Sequence, residues 1–96
     1  MVLLIAVLVA GCSTVGKEFD SSKVGNIKKD VTTQSEIRQW FGPPFKEGRE
    51  NGQINWTYQY DEYSASGGGR SKELIILFDD EKIVRAYRYT SNIGKQ

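Results

Sequence analysis

The chain has no histidine, one cysteine, two prolines and one methionine among its 96 residues. Without histidine it lacks the usual general base near neutral pH and the commonest metal-binding side chain. One thiol can form neither an internal disulfide nor a cysteine cluster for zinc. Charge of one sign is also missing as a bias, with 13 Lys and Arg against 12 Asp and Glu, so no overall field draws the chain to nucleic acid. Nucleophilic catalysis would have to use lysine or a carboxylate as its base. These absences argue against an enzyme, a cofactor or a small-molecule substrate. The length is enough for one small domain.

Long apolar runs are scarce, and the longest stands at the front. Residues 2–10 hold nine apolar side chains in a row, and the only cysteine follows at position 12. A helix crossing a bilayer needs about 20 apolar residues, so this run is too short to span. It matches the apolar core of a secretory signal, about 7–15 residues ahead of small residues at a cleavage point. Val9-Ala10-Gly11-Cys12 resembles a bacterial lipobox, which implies cleavage before Cys12 and transfer of lipid to its sulfur. In that reading Val9, Ala10 and Gly11 form the peptidase recognition site and Cys12 is the lipidated residue. Each buried CH₂ of an acyl chain contributes roughly 0.8 kcal/mol, so two or three chains anchor stably. Ser13 in place of Asp after the cysteine implies, by the same resemblance, the outer membrane. No Lys or Arg precedes the run, a departure from a complete signal, and whether Met1 is the true start stays open.

The expected organisation is a signal segment at 1–11, a lipidated cysteine and tether at 12–19, a domain at 20–91 and a tail at 92–96. Asp20, Ser21 and Ser22 offer caps for a short first helix placing Val24, Ile27 and Val31 on one side, weakened by Gly25. Thr33 and Glu36 have capping-box spacing, with Thr32 as the neighbouring alternative cap, for a second helix with Ile37, Trp40 and Phe41 on one face. Gly42 stops it and Pro43-Pro44 forbid its continuation.

From Phe45 the apolar period shortens to two. Asn51-Gly52 is a hairpin signal, and Ile54, Trp56, Tyr58 and Tyr60 alternate behind it. Residues 62–71, with their glycine run, read as a loop. Residues 74–78 are apolar on both faces, Asp79-Asp80-Glu81-Lys82 turns the chain, and residues 83–90 return as the last strand. The predicted class is α+β: two short N-terminal helices packed on one face of a three- or four-stranded antiparallel sheet.

Two motifs invite chemistry and carry little of it. Asp79-Asp80-Glu81 lacks the alternating ligands and glycine of an EF-hand. Gly67-Gly68-Gly69-Arg70-Ser71 lacks the lysine and spacing of a P-loop. The surface signal is stronger. Helices on one side of the sheet cannot cover Leu74, Ile76 and Phe78 together with Ile75 and Leu77. Whichever set faces away from the helices, with Tyr87 and Arg85 or Arg88, is the candidate partner-binding face, since Tyr and Arg are frequent interface anchors. Arg85, Tyr87 and Tyr89 are expected on one face of the last strand and Arg88 on the other.

The succession of Ile27, Thr32, Ile37, Phe41, Gly42 and Pro44, then Trp56 and Tyr58, then Leu77, Phe78 and Asp79 resembles the SmpA/OmlA (BamE-like) family of small outer-membrane lipoproteins. Asp30 departs from that pattern where the family usually has glycine, though Asp tolerates left-handed backbone better than most residues. The resemblance implies a non-enzymatic scaffold that faces the periplasm and binds other proteins of the machinery inserting β-barrels into the outer membrane. The alternative is a free-standing envelope lipoprotein that binds lipid headgroups, peptidoglycan or a soluble target.

Overall fold

The computed structural model describes residues 12–64 and 69–92. The lipobox residues Val9, Ala10 and Gly11, the glycines Gly67 and Gly68, and positions 93–96 of the expected tail lie outside them. Five antiparallel strands form one sheet: β1 (Cys12–Gly16), β2 (Lys46–Glu50), β3 (Gln53–Ser64), β4 (Gly69–Phe78) and β5 (Val84–Ser91). The order across the sheet is β1-β3-β4-β5, with β2 also paired to β3. β1 meets residues 60–64 of β3 and β2 meets residues 53–57, so the two short strands lie end to end along one edge.

Strands dominate, and the predicted class is overturned by that. Among the described residues there is no pair of N-terminal helices on a three- or four-stranded sheet. One α-helix, α1 (Gln34–Phe41), lays Ile37 and Phe41 into the core. The other expected helix is a 3-10 segment, Ser21–Asn26, with no buried residue. Its ladder runs i to i+3, from Lys23 N–H to the Asp20 carbonyl at 3.2 Å and from Ile27 N–H to the Val24 carbonyl at 3.1 Å. Three-residue turns cannot sustain a 3.6-residue apolar stripe. Ile27 is therefore buried beyond the end of the segment, while Val31, expected beside it, is 62% exposed.

The second correction concerns the tether. Residues 12–16 form strand β1, and Phe19 joins the core at 4% exposure. The twelve-residue β3 is longer than β2 and leaves unpaired N–H and C=O groups along its edge, which β1 takes up. The expected loop at 62–71 shrinks for a related reason. β3 runs to Ser64 and β4 starts at Gly69, with Glu62 opposite Arg70 and Tyr63 opposite Gly69.

The local signals act as written in the chain. Thr33 and Glu36 close both halves of the capping box, at 3.2 Å and 3.0 Å. Gly42 ends α1 at φ 81°, and its carbonyl accepts from the Tyr58 hydroxyl at 2.8 Å. Asn51 and Gly52, at φ 54° and 81°, make the two-residue turn between β2 and β3. Asp30 takes the left-handed conformation at φ 67°, and its N–H is held by the Val84 carbonyl at 2.7 Å.

The core lies on one face of the sheet. Trp56 and Tyr58 from β3 stand opposite Ile76 and Leu74 from β4, and Phe78 and Val84 close the far end. Aromatic edges knit α1 to this face, with Phe41 5.4 Å from Tyr58 and Phe19 6.2 Å from Phe41. Trp40, expected on the buried face of α1, is only half-buried and packs against the core from its side.

Candidate functional site

The alternation of β4 decides which face is open. Lys72, Leu74, Ile76 and Phe78 are buried, whereas Glu73, Ile75 and Leu77 between them are half-buried on the opposite face. There Ile75 stands between Thr57 and Arg88, and Leu77 stands between Asn55 and Ala86. A shallow groove of about 320 Å³ runs over this face, lined by Glu50, Ile75, Leu77, Ala86, Tyr87 and Arg88. Its floor is aliphatic and its rim carries one anion and one guanidinium. That chemistry suits an apolar side chain flanked by polar groups, as at a protein interface.

Of the five candidate partner residues, Ile75, Leu77 and Arg88 thus meet around one groove, which Tyr87 also lines from its position opposite Ile76. Arg85 does not. A β-bulge between Leu77 and Phe78 inserts it as an extra residue, since Ala86 pairs with Leu77 and Val84 with Phe78. It lines a separate hollow with Lys29, Asp30 and Ala86. The bulge also breaks the simple parity expected for β5. Tyr87 and Tyr89 stand opposite Ile76 and Leu74 on the core side, with Arg88 on the other.

Sequence reasoning missed a charged cluster on the core face. Lys72 is 7% exposed, and its Nζ donates to the Phe19 carbonyl at 2.6 Å and pairs with Glu18 at 2.6 Å. The same ammonium sits 4.5 Å from the centre of the Phe19 ring. The hydrogen bond from Lys72 holds the Glu18 carboxyl below its ordinary range, against a smaller opposing effect of burial. This latch pins the segment after β1 onto the sheet. The available signal was a lysine in step with the buried stripe of Leu74, Ile76 and Phe78.

Two further groups are spoken for structurally. Asp79 accepts from the N–H of Glu81 at 2.8 Å and of Ile83 at 3.0 Å, which shapes the β4–β5 turn. Among the described residues no three acidic, cysteine or histidine side chains gather as metal ligands, and no helix is long and apolar enough to cross a membrane. Trp56 is buried with its indole N–H unpaired. It stands 5.1 Å from Phe78, edge to face, and serves packing.

Comparison with family models, curated proteins and solved structures finds no match for this chain.

Proposed function

We propose that the chain is an outer-membrane lipoprotein, anchored through acylated Cys12 and facing the periplasm, that acts as a non-enzymatic scaffold within the machinery inserting β-barrel proteins. The observation that carries this reading is a lipobox-like Val9-Ala10-Gly11-Cys12 placed directly ahead of a sheet with one open apolar groove. The first supplies an anchor, and the second supplies a surface for another protein. The resemblance to the SmpA/OmlA family favours barrel insertion over other envelope assemblies, and the lack of histidine favours binding over catalysis.

Two measurements test it. Cys12→Ala removes the only thiol, so labelled palmitate is expected on the wild-type chain and absent from the variant. Label on the variant refutes the anchor. Pull-down from detergent-solubilised outer membranes, read by mass spectrometry, is expected to recover barrel-insertion components in stoichiometric amounts. Recovery of the chain alone refutes the scaffold role and leaves a free-standing envelope lipoprotein.

A further inference from the structure

β1 is paired from its first residue. Cys12 stands opposite Ser64, Ser13 opposite Tyr63 and Val15 opposite Asp61. A lipid on the Cys12 sulfur would therefore join the sheet with no free linker between them. This end of the sheet also carries exposed apolar surface. Val15 is 45% exposed and Tyr63 is 52% exposed, and the register makes them diagonal neighbours on the face away from the core. The charged groups beside them are paired or hydrogen-bonded. Glu62 pairs with Arg70 at 3.4 Å, and Asp61, 8% exposed, accepts from the Gln59 amide at 2.7 Å.

Resting on the reading of Cys12 as the lipid-bearing residue, we propose that this end of the sheet docks on the bilayer surface, with Val15 and Tyr63 in the headgroup region. A tyrosine with an apolar ring and a polar tip suits that boundary. The latch limits the alternative of a swinging domain. Even if β1 peeled from β3, the hold of Lys72 on Glu18 and Phe19 would release only residues 12–17, about 20 Å of chain. Docking also sets the height of the groove. Thr57 and Asn55, which stand opposite Ile75 and Leu77, lie four and six residues along β3 from Asp61, the partner of Val15, about 14–20 Å at roughly 3.4 Å per residue. The groove thus stands clear of the headgroups, where a protein can reach it.

The test uses the full lipidated chain in phosphatidylethanolamine–phosphatidylglycerol vesicles. With the native thiol occupied by lipid, Tyr63→Cys, Val15→Cys and Asp80→Cys each offer one site for a nitroxide label. All three positions are exposed, so labelling leaves the core intact. Collision with oxygen relative to a water-soluble nickel complex is expected to be several-fold higher at positions 63 and 15 than at 80. Equal, water-like values at all three sites on an acylated chain refute docking and leave the anchor standing. An intact mass without acyl chains refutes the anchor and the docking together.

Discussion

Replacing Ile76 and Leu77 by glutamate, one at a time, separates the two faces of β4. Ile76 is fully buried and stands between Trp56 and Tyr87. Removing its side chain costs about 2–5 kcal/mol, and an unpaired carboxylate in that place adds several kcal/mol more. A chain of this size has roughly 5–14 kcal/mol of total stability, so Ile76→Glu is expected to unfold it. Leu77 is half-buried on the open face. Its carboxylate replacement keeps its water and gives up only part of the about 1.5–3 kcal/mol of a fully buried leucine. A loss near 1 kcal/mol corresponds to a midpoint shift of about 4–8 °C. Circular-dichroism melts of the lipidated chain in detergent measure the first quantity, and recovery of the complex in pull-down measures the second. The expected result is an unfolded Ile76→Glu chain and a folded Leu77→Glu chain that has lost its partners. Equal unfolding of both would show the groove face covered within the monomer, and a folded Leu77→Glu chain with its complex intact would remove the groove as an interface.

Phe41→Ala is expected to cost about 3–5 kcal/mol, and Trp40→Ala clearly less, because Phe41 is 7% exposed while Trp40 packs only from the side; denaturant titration of the two variants orders them. Gly16→Ala is expected to detach β1, since Gly16 sits at φ 85° and a Cβ there would overlap the Gln59 carbonyl oxygen. Hydrogen exchange should then show lost protection on residues 60–64 while residues 72–78 stay protected. Burial raises the Tyr58 phenol well above its ordinary value near 10. A raised folded value means the stability is complete below pH 10 and is lost as pH rises beyond it, where the unfolded phenol ionises first. The melting midpoint should fall above pH 10, and Tyr58→Phe should reduce that slope in part, since burial raises Tyr60 as well.

What the sequence determined by itself is the set of features settled within about four residues. Thr33 and Glu36 close a capping box, Gly42 stops α1 and Asn51-Gly52 turns a hairpin because each partner lies within a few positions in the chain. Strand alternation over residues 74–78 also announced that Ile75 and Leu77 would oppose Leu74, Ile76 and Phe78. Which set stayed uncovered was not legible, since that depended on where α1 came to rest. The first helix failed because Val24, Ile27 and Val31 carried an apolar spacing, while the backbone took 3-10 turns and then the left-handed Asp30. Only tertiary structure decided the rest. Residues 13–16 carry no buried side chain to mark them as a strand, and β1 pairs because the edge of β3, 44 to 52 residues away, offers unmet backbone groups. The latch joins Phe19 to Lys72 across 53 positions, and the bulge that sends Arg85 to a different hollow exists only once β4 and β5 are in register. Side-chain spacing specifies turns and faces, but the pairing of distant edges depends on which backbone groups the finished sheet leaves open.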